Sequence, residues 1–296
     1  LGQAVTRILA ALALAWLVAS TCHGADTAAA SPWLAHRAVV FGQRLRYIES
    51  GSGSALILIH GLADNLEVWK AVIPVLAQHY RVIALDQIGF GQSDKPVVGY
   101  RPQTLVDFLD EFMQVRGLAH AVLVGNSLGG WVAALMAIEH PARVDALVLV
   151  DSAGLAGLPQ VLGPRAFSAL RLASMQDLQV LTPLTFADPQ YYRPEALRQA
   201  FTERLAAGDG YAVSQIVDAM SRGEDAIDDR LDRIHSPTLI IWGNQDRLIP
   251  LHFGQQLYRQ VSGSQLVVLP HCAHEPEVEC PGRFQTVLQG FLRQLH

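Results

Sequence analysis

The chain has 296 residues, of which 50 % are apolar and 17 % charged, with a formal net charge of −5. This length and apolar content supply a large core and exclude a disordered chain. The negative balance and the lack of any Lys/Arg run argue against a nucleic-acid partner, and no internal period points to a repeat array.

The first element in chain order is a leader. Arg7 precedes Ile8-Leu9-Ala10-Ala11-Leu12-Ala13-Leu14-Ala15-Trp16-Leu17-Val18-Ala19, an apolar run too short to span a bilayer comfortably but suited to the core of a signal peptide. Residues 1–24 are therefore expected to be a signal peptide cleaved near Gly24 or Ala25. An Ala/Ser-rich stretch follows, to Ser31. The expectation is an exported protein, periplasmic or secreted, with no stable membrane span after cleavage. An uncleaved anchor is the alternative. Lipidation at Cys22 is disfavoured by the preceding Ala19-Ser20-Thr21.

Residues 39–49 and 55–60 read as strands separated by Ser50-Gly51-Ser52-Gly53-Ser54. Residues 66–79 carry apolar side chains at helical spacing, 80–85 form the next strand, and 104–116 an amphipathic helix that Gly117 can end. The apolar runs 121–124 and 145–150 are strands, with a helix between them closed at His140-Pro141. Strands that are apolar throughout, alternating with helices, indicate a mostly parallel sheet covered on both faces, an α/β fold. From about 155 to 230 the strand signal disappears, and 164–178, 194–207 and 211–222 each read as helices. Strands resume at 238–242 and 265–269, and a helix over 282–295 closes the chain. The expected organisation is a core of residues 33–154 and 231–296 with a helical cap, 155–230, over the carboxyl ends of the strands.

The densest chemical signal is Gly125-Asn126-Ser127-Leu128-Gly129, between a buried strand and a helix-forming run. A serine held on such a sharp turn, with small residues two positions either side, is the pattern of an activated nucleophile. A serine hydroxyl needs a base, and the base an orienting acid. Asp246 follows strand 238–242 and His274 follows strand 265–269, so both sit in loops at strand ends. Asp151, after the strand before the cap, is the alternative acid, and His271 the alternative base. His60 reads as a loop-shaping residue and Asp86 as a structural turn residue. An oxyanion needs donors, and the main-chain N–H groups of Leu128 and Leu62 are placed to supply them. Gly89-Phe90-Gly91-Gln92-Ser93 lacks the rest of a nucleotide-binding pattern and reads as a structural loop. Cys272 and Cys280, eight apart, are open to two readings, a disulfide or two free thiols.

Four stretches together resemble the α/β-hydrolase fold family, in its capped serine-hydrolase form, over residues 33–296. They are Leu58-Ile59-His60-Gly61, the loop from Asp86 to Pro96, Gly125-Asn126-Ser127-Leu128-Gly129-Gly130, and Trp242-Gly243-Asn244-Gln245-Asp246-Arg247. The spacing of His274 to Glu279-Cys280-Pro281 matches as well and favours His274 over His271. The resemblance implies a Ser127–His274–Asp246 triad with Leu62 and Leu128 as oxyanion donors. It implies neither a metal nor an organic cofactor. Serine at 127 argues against haloalkane dehalogenases and epoxide hydrolases, which attack with aspartate. Gly-Asn-Ser is shared with meta-cleavage carbon–carbon hydrolases, but those usually carry Trp after the histidine and a Gly-rich run after His-Gly. Here Glu275 and Leu62-Ala63-Asp64-Asn65 stand in those places. The expected activity is hydrolysis of a small-molecule ester with an apolar acyl group, by an esterase or lipase. Leu155, Leu158, Phe167, Leu170, Leu172 and Met175 of the cap are candidates to line the acyl pocket. The rivals are another triad hydrolase (carbon–carbon hydrolase, amidase or perhydrolase) and a non-catalytic binding protein on the same fold.

Overall fold

A computed structural model describes residues 34–295; the expected leader and cleavage site lie outside the described residues. One sheet of eight strands organises the molecule: β1 Ala35–Val40, β2 Gln43–Ser50, β3 Ala55–Ile59, β4 Arg81–Leu85, β5 Ala121–Asn126, β6 Val144–Val150, β7 Thr238–Gly243 and β8 Gln265–Leu269. Their spatial order is β1-β2-β4-β3-β5-β6-β7-β8. The pairs β1–β2 and β2–β4 are antiparallel, and from β4 to β8 every neighbour is parallel.

The central strands have no polar face because both faces are covered. Along β3, Ile57 and Ile59 enter one core, with Leu123, Leu149 and Trp242. Their neighbours Leu56 and Leu58 enter the other, with Trp69, Val124, Val148 and Phe284. Helices α2 Pro102–Val115 and α3 Leu128–Glu139 pack into the first of these cores and α1 Ile73–Leu76 into the second. Helix α3 is buried along almost its whole length, as a helix that is apolar on every face must be. Between β6 and β7 the chain runs through four helices: α4 Leu158–Ala169, α5 Met175–Thr185, α6 Pro194–Ala207 and α7 Gly210–Ser221. The remaining helices are α8 His252–Gln260, α9 Pro276–Glu279 and α10 Pro281–Leu292. Among the described residues no helix is long and apolar enough to cross a membrane.

Three local expectations need correction. The single strand expected over 39–49 is the hairpin β1–β2, because Phe41 and Gly42 both adopt positive φ, the backbone of a two-residue hairpin turn. The helix expected over 66–79 is a 3-10 turn, Leu66–Trp69, followed by the single turn α1, with Pro74 at the start of the latter. The helix expected over 164–178 is two helices. Gly163 (φ 71°) interrupts α4, and Ser174 with Asp177 forms a capping box that starts α5 afresh.

Candidate active site

Ser127 stands between β5 and α3 with φ 53° and ψ −118°. Such a conformation in a non-glycine residue costs on the order of 1–3 kcal/mol and persists only when the surroundings impose it. Here the surroundings are close. A methyl group at Gly125 would run into the carbonyl of Gly129, and one at Gly129 into the carbonyl of Ile59. The Ser127 N–H donates to Val150 O (3.0 Å), and its carbonyl accepts from Ala153 (3.0 Å) and Trp131 (3.1 Å). The side chain is thereby held toward a cavity of about 500 Å³ that Ser127 and His274 line together.

Asp246 and His274 meet. His274 Nδ1 lies 2.8 Å from Asp246 Oδ2, and both side chains are almost fully buried. A carboxylate can only accept, so Nδ1 carries the proton and Nε2 keeps its lone pair. The other Asp246 oxygen, Oδ1, accepts from the N–H groups of Leu248 and Ile249, each at 2.8 Å. The acid is therefore fixed from its own loop. Asn126, beside the serine, was not singled out from sequence, yet its Nδ2 donates to the His274 carbonyl (2.8 Å) and ties the elbow to the histidine loop. The carboxyl end of α5 ties in the loops that carry Asp246 and His274: Leu184 O accepts from Arg247 N–H (3.2 Å) and Thr185 O from His274 N–H (2.9 Å). Glu279 accepts from Ala273 N–H at 2.7 Å and from Ala187 and Asp188 N–H at 2.8 Å. In the sequence Glu279 is legible only as part of the spacing after His274, and its hydrogen-bonding role is not, because its partners are dictated by the fold.

The alternatives fall elsewhere. Asp151 (φ 41°) accepts from Gly243 N–H through Oδ1 (2.9 Å) and does not receive the histidine proton. It is close: Asp151, Asp246 and His274 each present one ligand-type atom, all within 4.8 Å of one another. Burial first, and then the charge of Asp246, push the Asp151 carboxyl well above the usual carboxylate range. A carboxyl raised in this way is a poorer metal ligand than an ordinary carboxylate, and the facing atoms of Asp246 and His274 are engaged with each other. His271 is exposed with φ 59°, and its N–H donates to Asn244 Oδ1 (2.8 Å), a turn position. His60 Nε2 accepts from Gln87 N–H (3.0 Å) and Nδ1 donates to Gly61 O (2.8 Å). Burial lowers its pKa, so it is a neutral buttress. Asp86 accepts from the N–H of Leu66 (2.8 Å) and Gln92 (2.7 Å) and pairs with Arg46 (3.3 Å), which shapes the loop around Gly89 and Gly91.

Leu128 is the first residue of α3, so its N–H has no intrahelical acceptor, and Leu62 lines the cavity beside it. An added methyl at Gly61 would sit 3.2 Å from Asn126 Oδ1 and 3.4 Å from Ser127 Cβ, so the loop carrying Leu62 is pressed against the elbow. Leu158, Leu170 and Leu172 line the cavity as expected, joined by Leu162, Leu178, Leu181, Ile216 and Met220. Leu155, Phe167 and Met175 are not among the lining residues. Cys272 and Cys280 are joined in a disulfide, with Cα atoms 6.0 Å apart, around the segment that carries His274.

The sequence model of the alpha/beta hydrolase fold matches residues 54–279, and the chain belongs to that family. It is 32 % identical over 276 residues to a 2-hydroxymuconate semialdehyde hydrolase of Pseudomonas sp. strain CF600, covering 89 % of this chain and 95 % of that protein. It is 30 % identical over 252 residues to Lipase 1 of Psychrobacter immobilis, covering 80 % of this chain and 77 % of that one. Among solved structures, a bacterial membrane phospholipase A superposes with a TM-score of 0.79 at 28 % identity, covering 98 % of this chain and 99 % of its own. The relatives are hydrolases of both carbon–carbon and ester bonds.

Proposed function

We propose that the protein is an exported serine hydrolase of carboxylic esters with an apolar acyl group. The observation that carries this reading is that His274, hydrogen-bonded to Asp246, lines with Ser127 one cavity that is walled by leucines of the helices between β6 and β7. In this mechanism His274 Nε2 takes the Ser127 proton as Oγ attacks the ester carbonyl. Asp246 keeps the imidazole in the needed tautomer and faces the imidazolium that forms. The N–H groups of Leu62 and Leu128 receive the oxyanion. His274 returns the proton to the leaving alcohol, and water, deprotonated by the same nitrogen, releases the acid. The leader pattern and the Cys272–Cys280 disulfide support export, since such bonds persist in oxidising compartments.

Cleavage of a carbon–carbon bond is the second reading, favoured by Asn126 before the serine and by the 2-hydroxymuconate semialdehyde hydrolase among the relatives. Glu275, in place of the usual Trp, weighs against it. A panel of p-nitrophenyl esters of increasing chain length, assayed beside a meta-cleavage dienoate, separates the two. Ester turnover lost in Ser127→Ala by at least about a thousandfold, with an unchanged fold, supports the proposal. A folded variant that keeps a tenth of the activity rules Ser127 out as nucleophile, and turnover of the dienoate alone replaces the ester reading with the second one.

A further inference from the structure

The cavity wall changes character beside the histidine. The helices between β6 and β7 supply mainly leucines, with Ile216, and one carboxylate, Glu203 of α6, whereas the loop after β3 and the segment from His274 into α9 supply Asp64, Glu275 and Glu277. Glu277 is 1 % exposed, and its Oε2 has no hydrogen-bond partner. Asp64 and Glu275 are half-buried. The groups whose charge bears on these three are other carboxylates: Asp86 on Asp64, Asp64 on Glu277, and Asp64, Glu277, Glu279 and Asp246 on Glu275. Lys70 lines the same cavity but is exposed, and Arg46 is committed to Glu67 (2.7 Å) and Asp86 (3.3 Å). A protein interior does not keep unpaired carboxylates without a proton or a cation to neutralise them.

Their spacing discriminates between cations. Among the described residues the set with ligand atoms within 4.8 Å of one another is Asp151, Asp246 and His274, so Asp64, Glu275 and Glu277 do not converge on one small ion. They form a wall, suited to a charge spread over a bulky group. Phe186, stacked on Tyr191 at 4.2 Å, lines the same cavity and offers an aromatic ring to such a group. Glu275 is the chain neighbour of His274, the group that protonates the departing alcohol in the proposed mechanism, and both line the cavity.

We propose that this acidic wall is a subsite for a cationic alcohol, and that the preferred substrates join an apolar acyl group to an alcohol bearing an alkylammonium group. The proposal rests on the ester-hydrolase reading, and its test keeps the two apart. Butyrylcholine is compared at pH 8 with 3,3-dimethylbutyl butyrate, its uncharged isostere. For the wild type, kcat/KM is expected to favour butyrylcholine by at least about tenfold, and the ratio should collapse toward one in the Glu275→Gln, Glu277→Gln double variant. Choline binding to Ser127→Ala, measured by calorimetry, should be lost in the same double variant on that background. A wild-type ratio near one with turnover of the uncharged ester overturns the subsite and leaves the hydrolase reading standing. A ratio unmoved by the double variant also overturns it. Choline binding that depends on Glu275 and Glu277, with neither ester turned over, supports the subsite and overturns the ester reading.

Discussion

At the scale of single residues, two buried aspartates compete for one role, and their hydrogen bonds decide between them. Asp246 accepts from His274 and from two main-chain N–H groups, so both its oxygens are engaged. Asp151 has a single main-chain donor, and burial, with the nearby charge of Asp246, pushes its carboxyl well above the usual range. Asp246→Asn should therefore lower kcat by about three to four orders of magnitude, because an amide can present its NH₂ to Nδ1 and favour the wrong tautomer. Asp151→Asn keeps an uncharged donor in place and should cost less than about tenfold. Steady-state kinetics of both variants checks this, and the reverse pattern would move the acid to the end of β6. Asn126 belongs to the same scale. It is legible in the sequence only as part of a glycine-flanked pattern, because its bond to His274 O spans 148 positions and no local spacing encodes it.

At the scale of elements, the sequence is most readable where one physical constraint acts alone. Strands β3, β5 and β7 are buried on both faces, so each is a continuous apolar run and was found within a residue or two. The elbow is readable because its steric demands exclude all but small residues at 125 and 129. The hairpin at Phe41-Gly42 and the break before α5 are harder. In the first a pair of positive φ angles, and in the second a capping box, ends an element where the residue pattern alone does not force a break. The acid and the histidine were readable as ends of strands, and the bonds that orient them were not. The histidine loop is an element whose order has several sources: the Cys272–Cys280 disulfide, the Asn126 bond, the Thr185 bond and the Glu279 bond. Closing so short a loop stabilises by about 2–3 kcal/mol in the chain-entropy account. Reduction, or Cys272→Ser with Cys280→Ser, should lower Tm by several degrees, and activity should fall before global unfolding. Intact-mass analysis after alkylation, with and without reduction, checks the bond. Two alkylated thiols in the unreduced protein would contradict it.

At the scale of the whole molecule, the acidic wall sets an unusual dependence of stability on pH. Burial pushes the carboxyl of Asp64 up to about 7 and that of Glu277 up to about 8, and Glu275 is also well above the usual range. Acids raised in this way bind more protons folded than unfolded between their ordinary pKa and their raised one. Their contribution is present at low pH and is lost as pH climbs through that window, from about 4.5 to about 8 for Glu277. Ion-paired acids such as Glu49, which its arginine partners hold below the ordinary value, act in the opposite sense and at lower pH, so the two effects occupy separate ranges. Glu277 alone represents on the order of several kcal/mol before relaxation. Tm of the wild type should therefore fall between pH 5.5 and 8. Glu277→Gln, which stays neutral throughout, should show a shallower fall and a higher Tm than the wild type at pH 8. Choline should raise the wild-type Tm more at pH 8 than at pH 5.5, because its charge replaces protons that the wall otherwise retains. Asp64 and Glu275 share the wall with Glu277, so a residual slope in the single variant is expected, and the triple substitution Asp64→Asn, Glu275→Gln, Glu277→Gln should flatten it. Parallel pH profiles of wild type and Glu277→Gln would show that Glu277 is already ionised in the folded protein.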